Sequence, residues 1–579
     1  MKLFVKTGFC FLISFCSFAQ ANPNVISVSP RNQVVNAEAN TPIIITFDSS
    51  IDPATITDTS FYVFGRWSGV ARGTVSFDDE NRILSFIPDK SFYPGELVIV
   101  NISKRIRNTI GLPMECGYAW TFWIRTGTGT MNLVKTGEIE VRNQREEKIQ
   151  TYGAYAGDFD KDGYTDFLVP NEIANDVRVF MNDKSGGYSD FTTFPIGGGL
   201  RPSTNEGADF NLDGLMDIAV GNSANSLVTV FIGDGTGGFT SIENYSAALQ
   251  VRGLMVVDVN GDGFMDIVTA NRQASNITIL TNNGNGTFSP SDTIEAEGDG
   301  ETTCSAADVN NDGIIDLFVG ALSSREIILL FGDGEGSFNF HSKVSVIGSP
   351  WFTCTGDINN DGIADIVSAN SSHDRLAVIT CDSTGNLSEP VYYSTGDFPL
   401  SIDMGDIDGD GDLDVVTSNY SSADYTLYEN DGTGVLINRR DLLASAAGSC
   451  SVFHDRDNDG DLDMTGVDEE DDLLILYENK EMTGINRESN SPKGFYLAQN
   501  YPNPFNPQTR IRYKIPHRSY VTIKVVNLIG QEIVTLVGEE KTSGEHDVMF
   551  NADDLSGGIY FYRIIAGEFT ETNKMVLLK

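Results

Sequence analysis

The chain is poor in the residues that most catalytic centres and soft-metal sites use. Its 579 residues include seven cysteines and five histidines, and 39 basic side chains stand against 81 acidic ones. The resulting formal charge of −42 at pH 7 argues against nucleic acid and against an anionic membrane surface as partners. None of His341, His373, His454, His517 and His546 falls in an H-E-x-x-H pair, and no G-x-S-x-G elbow occurs. Past the N-terminus no apolar run is long enough to span a bilayer. Cys116, Cys304, Cys354, Cys381 and Cys450 are too few, and odd in number, for a disulfide framework. Cys304 and Cys354 are fifty residues apart, and either a bridge or two buried thiols fits them.

The first segment, "MKLFVKTGFCFLISFCSFAQA", reads as a secretory leader over residues 1–21. Lys2 and Lys6 precede an apolar stretch too short for an anchor, and Ala19-Gln20-Ala21 forms an A-x-A cleavage site. A lipidated Cys16 is the alternative, disfavoured by the bulk of Phe15 before it.

What the chain has in abundance is aspartate at alternate positions ending on a glycine turn. The pattern D-x-[DN]-x-D-G-x-x-D occurs seven times. Oxygen donors at positions 1, 3 and 5, a backbone carbonyl at 7 and a turn-forming glycine at 6 suit a hard cation such as Ca²⁺. The donors proposed are Asp158, Asp160, Asp162 and Asp166; Asp209, Asn211, Asp213 and Asp217; Asp258, Asn260, Asp262 and Asp266; and Asp308, Asn310, Asp312 and Asp316. Asp357, Asn359, Asp361 and Asp365; Asp406, Asp408, Asp410 and Asp414; and Asp455, Asp457, Asp459 and Asp463 complete the set. An EF-hand needs a glutamate at position 12 and flanking helices. Here that position is Val169, Val220, Thr269, Val319, Ser368, Thr417 or Gly466, and runs such as "IAVGN" and "IVTAN" follow, which are strands by composition. The aspartate at position 9 takes the place of the closing carboxylate. Up to seven structural Ca²⁺ ions are expected, with folding coupled to their binding because the clustered carboxylates otherwise repel.

Successive loops begin at residues 158, 209, 258, 308, 357, 406 and 455, a period close to fifty that marks a propeller or solenoid. Near the middle of each period lies a glycine-rich turn such as "GDGTGGF" (233–239) or "GDGEGSF" (332–338), with two β-rich runs before it and two after. Each unit is therefore four short strands, one propeller blade. After the seventh loop the outer strand is missing. The stretch "GEIEVRNQREEK" (137–148) stands in the phase of an outer strand and is expected to close the ring.

The repeat resembles the FG-GAP/VCBS family, the propeller type of integrin α-chains. The resemblance implies that the cation loops lie between strands 1 and 2 on one face and that ligands meet the opposite one. Arg201, Arg252, Trp351 and Phe398, in the loops that lead into the inner strands, are the candidate ligand contacts. Residues 22–127 read as a β-sandwich and resemble the bacterial Ig-like domain of S-layer type, which implies a spacer. Trp120 and Trp123 there are expected to be a core residue and a surface aromatic. Residues 493–579, with "YPNPFNP", "NLIGQEI" and "GGIYFYRI", read as a small sandwich and resemble the C-terminal sorting domain of type IX secretion cargo.

The expected fold is all-β: a seven-bladed β-propeller over 130–482, flanked by the N-terminal Ig-like β-sandwich and, after a linker at 483–492, the small C-terminal β-sandwich. The expected function is a secreted or cell-surface calcium-binding and adhesion module for an extracellular glycan or protein ligand, exported by the type IX machinery. No transmembrane segment is expected after leader removal. The alternative is a polysaccharide-degrading enzyme, a calcium-assisted lyase or glycosidase, because paired carboxylates abound; no catalytic constellation is recognised.

Overall fold

The computed structural model describes residues 21–78, 80–143, 147–480 and, in stretches, 496–578. Nearly all of the leader at 1–21 and the whole linker at 483–492 lie outside the described residues. The chain forms two compact units, divided between Glu481 and Met482.

Seven four-stranded antiparallel sheets make up most of the first unit. Their inner strands are Tyr155–Gly157, Pro202–Ala208, Val251–Val257, Glu301–Ala307, Pro350–Gly356, Pro399–Gly405 and Gly448–His454. Neighbouring inner strands pack side by side, and the first meets the last, so the ring is closed. The second strand of every blade, for example Asp217–Asn222 or Asp266–Asn271, is buried along its whole length. That is why these runs are rich in apolar and β-branched residues without alternating with exposed ones: both faces of the strand are covered by adjacent blades.

The seventh blade is completed from the other end of the repeat region. Leu133–Glu140 pairs antiparallel with Leu473–Asn479, in the register Leu473↔Glu140 to Asn479↔Leu133. This strand begins four residues before the expected stretch 137–148. Thr130 sets its start, with its backbone N–H and hydroxyl both donating to Asn479 Oδ1 at 2.9 and 3.1 Å. Asparagines stitch the blades together. Asn282 Nδ2 donates to the Phe210 carbonyl of the preceding blade at 2.8 Å, and Asn182 makes the same bond to the Arg456 carbonyl at 2.9 Å, across the closure.

Residues 25–123 form a two-sheet sandwich. One sheet orders Val25–Ser29, Ile43–Phe47, Ile83–Pro88 and Gly73–Phe77; the other orders Gly69–Val70, Phe61–Gly65, Leu97–Ile102 and Tyr118–Trp123. Its core holds Ile45, Leu84, Val100 and Trp120, whose Nε1–H donates to the Pro30 carbonyl at 3.1 Å. Trp123 is buried too, but in a cluster with Ile358, Met404 and Leu413 of the propeller. Trp67 likewise sits among Leu133, Phe453 and Leu462. Two buried indoles anchor the sandwich on the propeller, each contributing about 2 kcal/mol or more from area alone. The sandwich is thus a docked cap, not the spacer that the resemblance implies.

The C-terminal unit is a small sandwich of its own. A sheet of Tyr496–Leu497, Gln508–Ile515 and Gly544–Asn551 faces a four-stranded sheet of Glu532–Lys541, Ser519–Asn527, Gly558–Ala566 and Phe569–Leu577. Alternation along "QTRIRYKI" sends Ile511, Tyr513 and Ile515 into the core. Cys304 and Cys354 form no disulfide, and Cys116, Cys381 and Cys450 are free as well.

Candidate functional site

Each aspartate loop joins the inner strand of a blade to its second strand. The loop at 209–217 shows the wiring. Asp209 Oδ1 accepts from Asp213 N at 3.1 Å and its Oδ2 from Gly214 N at 2.7 Å, while Asn211 Oδ1 accepts from Asp213 N at 3.0 Å and Asp213 Oδ1 from Leu215 N at 2.8 Å. The chain can make this turn because Gly214 is left-handed at φ +84°. Asp217 closes the loop: its Oδ2 accepts from Phe210 N and its Oδ1 from Gly233 N, both at 2.8 Å. All seven position-9 aspartates take a backbone N–H sixteen residues on, from Asn182, Gly233, Asn282, Gly332, Cys381, Asn430 and Asn479. They tie the loop to the glycine-rich turn.

Burial pushes the carboxyls of these closing residues up, to about 8 in Asp166, Asp217 and Asp365 and to about 7 in Asp316 and Asp463. Position 1 is buried in every loop, and Asp308 is pushed to about 8 by the same cause. Carboxylate oxygens of Asp158, Asp160 and Asp166, of Asp406, Asp408 and Asp414, and of Asp455, Asp457 and Asp459 lie within 4.8 Å of one another. These are the three loops with aspartate at position 3; Asn211, Asn260, Asn310 and Asn359 put an amide there in the others. Asp406 Oδ1, Asp455 Oδ1 and Asp365 Oδ2 are buried with no hydrogen-bond donor. Orphaned oxygens among converging carboxylates, with no nitrogen or sulfur donor in the set, fit a hard cation.

Two acidic residues lie outside the four donor positions of the repeat. Asp412 and Asp461 stand at position 7, where the pattern uses only a carbonyl. Each has a buried Oδ1 without a partner and a carboxyl pushed to about 8, by burial first and then by neighbouring aspartates. The strings "GDGDLD" and "NDGDLD" already contain them. Two loops also carry a protein cation. Lys184 Nζ lies 3.1 Å from Asp162 Oδ2, and Arg456 Nη2 lies 3.4 Å from Asp463 Oδ2.

The sandwich covers this face. Tyr93 OH donates to Asp158 Oδ2 at 2.9 Å, Asn101 Nδ2 to Asp258 Oδ2 at 2.7 Å and Thr126 Oγ1 to the Asp406 carbonyl at 2.9 Å. Ala119 N donates to the Gly313 carbonyl at 2.8 Å and Gly127 N to that of Gly460 at 2.6 Å. At the centre Arg66 reaches the central channel. Its Nη1 lies 3.3 Å from Asp403 Oδ1 and its Nε 3.9 Å from Glu206 Oε1, beside a cavity of about 220 Å³. Burial raises both carboxyls, and the guanidinium opposes the shift.

The opposite mouth of the channel lies away from the sandwich. Backbone bonds to the turn after each second strand put Gln150, Arg201, Gln250, Gly300, Ser349, Phe398 and Ala447 at equivalent places. Two residues further on in the first, third and fifth blades come Tyr152, Arg252 and Trp351, nearer the axis. The four expected contacts thus belong to two rings. Arg252 and Trp351 are inner, Arg201 and Phe398 outer. Trp351 Nε1 donates to Tyr152 OH across the channel at 3.0 Å. The Trp351 and Phe398 rings are 5.6 Å apart, and Phe398 and Tyr420 6.3 Å. Arg252 pairs with Glu172 at 3.3 Å and stands 5.9 Å from the Trp351 ring. Arg201 is exposed and adds its charge beside Glu172.

Overlapping windows at 158–220, 209–269, 258–319, 308–367, 357–417 and 406–465 match the model of the FG-GAP-like repeat, over more than half the chain. The chain belongs to the FG-GAP-like repeat family. Residues 19–123 match a bacterial Ig-like domain, and 499–578 a secretion system C-terminal sorting domain. This FG-GAP-like protein is therefore type IX cargo, exported to the cell surface or beyond. Among the described residues no helix is long and apolar enough to cross a membrane. No curated protein matches the chain. Solved structures similar to it include BBS1N in complex with ARL6DN, at 10% identity and TM-score 0.43, covering 61% of this chain and 99% of that one. An Agrocybe aegerita lectin described as recognising non-reducing terminal N-acetylglucosamine is similar at 16% identity and TM-score 0.37, over 73% and 94% of the two chains. A putative 6-phosphogluconolactonase from Bacteroides uniformis is similar at 14% and 0.39, over 68% and 99%.

Proposed function

We propose that this exported FG-GAP-like propeller is a calcium-stiffened binding module that meets a glycan or protein ligand at the mouth of its channel opposite the sandwich. The observation that carries the reading is the asymmetry of the two faces. The aspartate-loop face is occupied by the docked sandwich, whereas the other presents Arg252 and Trp351 near the axis with Phe398 and Tyr420 following outward. The aspartate loops would hold Ca²⁺ through their position 1, 3, 5 and 9 side chains, with Asp412 and Asp461 adding charge in the last two. The ion would neutralise carboxylates that burial otherwise disfavours, and Kd values of roughly 10⁻⁴ to 10⁻⁶ M suit such extracellular sites. The test is a screen of glycans and matrix proteins against the full chain, with calcium and with chelator, reading product in the same wells. Calcium-dependent binding without turnover is expected. Absence of any ligand at the mouth, judged by a Trp351→Ala variant that binds like the parent, would overturn the reading.

A second reading is favoured by one observation. Glu469 lies at the same mouth beside Glu172, with its carboxyl pushed to about 7 by burial, while Gln150 Nε2 donates to it at 2.6 Å. A carboxyl poised near neutrality beside another is the arrangement acid–base cleavage of a polysaccharide uses. Turnover abolished in Glu469→Gln, with binding retained, would establish that reading in place of the first.

A further inference from the structure

We infer that the ligand of the channel mouth is an acidic saccharide, a sugar bearing a carboxylate or a sulfate; this rests on the binding reading above. Two guanidinium groups of the third blade converge on one indole of the fifth. Arg272 lies 5.2 Å and Arg252 5.9 Å from the Trp351 ring, and Arg252 also stands 5.7 Å from the Tyr152 ring. Among the described residues the pair has a single carboxylate in contact, Glu172 on Arg252. Arg272 has no ion-pair partner among the described residues, and its pKa is held down by burial and by the charge of Arg252. Arg252 Nε is buried and donates to nothing. In a chain of formal charge −42, two neighbouring arginines with spare donors form a local anion site. The planar fork of a guanidinium matches a carboxylate or sulfate edge through paired N–H donors.

The surroundings select a sugar over an acidic peptide. Glu172 contacts Arg252, Glu469 lies beside Glu172, and both accept hydrogen bonds. A ligand seated there must offer hydroxyl donors alongside its anion, as a uronic acid or a sulfated hexose does. A run of acidic side chains would instead face two like charges. Phe398 and Tyr420, with rings inclined at 66°, supply apolar walls for the C–H face of a pyranose. The anion site lies at the mouth opposite the aspartate loops, away from much of the protein's negative charge.

The test titrates the full calcium-loaded chain with oligogalacturonate, which carries only carboxylates, with a sulfated galactan oligosaccharide, with neutral dextran and with poly-glutamate. Arg272→Gln is the informative variant, because it leaves no partner carboxylate unpaired. Lys90→Gln on the exposed surface of the sandwich is the control. The expected result is binding of oligogalacturonate or the sulfated galactan, at least tenfold weaker in Arg272→Gln and unchanged in Lys90→Gln, with identical melting curves. Whichever probe binds more tightly names the anion. Tight binding of dextran or poly-glutamate that survives Arg272→Gln would overturn the acidic-sugar inference and leave the binding module standing. If no probe binds and the wider screen is also blank, the binding reading fails with it.

Discussion

Replacing Arg66 by methionine tests the docking of the cap most sharply. The guanidinium is the only cation in contact with Asp403 and Glu206 among the described residues, and it comes from the sandwich while they come from the sixth and second blades. Removing one partner from a buried pair costs about 3–5 kcal/mol. The Arg66 side chain retains 32% exposure, facing the cavity, so a discounted loss of about 1–3 kcal/mol is expected. The pH dependence carries a definite sign. Asp403 and Glu206 are already raised in the folded state, and without Arg66 they rise further. A carboxyl raised on folding supports stability below its unfolded value near 4, and that support is lost as pH rises through the folded value. Arg66→Met should therefore lose more stability at pH 8 than at pH 5, and Asp403→Asn with Glu206→Gln should restore part of it. All four tryptophans, Trp67, Trp120, Trp123 and Trp351, lie in the first unit, so indole emission during urea unfolding reports that unit alone. Equal losses at the two pH values, or a variant as stable as the parent, would refute the role of Arg66 in docking the cap.

Other consequences are equally direct. Gly313 and Gly362 are both left-handed, at φ +83° and +86°, but a Cβ on Gly313 overlaps the Tyr118 ring whereas one on Gly362 meets nothing within 4 Å. Gly362→Ala should cost about 1 kcal/mol from backbone conformation, and Gly313→Ala several times that, with protease sensitivity appearing between sandwich and propeller. Asp412→Asn removes the fifth carboxylate of its loop, so the chelated protein should melt higher while calcium affinity at that loop falls by about tenfold, or ~1.4 kcal/mol by calorimetry. Deleting residues 130–140 strips the seventh blade of its outer strand and leaves the Leu473–Asn479 edge open; the propeller should then self-associate in sedimentation runs.

The parts of this architecture that sequence reveals are those set by local chemistry. Position-6 glycines, alternate oxygen donors and the period of fifty mark the loops and the blades because each requirement is met within a few residues. Closure by the N-terminal strand follows from a missing outer strand, but its register does not, since the strand is half-exposed and Thr130 fixes its start through Asn479. The docked cap leaves no local mark at all. Arg66, Tyr93, Asn101 and Thr126 look like ordinary surface residues until the propeller face they touch is known. The mouth shows the same limit. Residues 152, 252, 272, 351 and 398 lie in four different blades, and only the ring brings Arg272 to the indole that Arg252 already touches. Asp412 and Asp461 stand in plain sight at position 7, where the pattern needs only a backbone carbonyl.

The central claim is that the aspartate loops hold cations which the folded propeller needs. Its most direct test is a thermal melt of the full chain at pH 8, followed by tryptophan emission, in millimolar calcium and in chelator. Each occupied loop contributes about 2.7 kcal/mol when calcium is a hundredfold above Kd, so chelation should lower the first unit's Tm by roughly 10 °C or more. Because burial raises the closing carboxyls, to about 7 or 8 in Asp166, Asp217, Asp316, Asp365 and Asp463, the chelated protein should melt higher at pH 6 than at pH 8. An identical melt with and without calcium would contradict the account.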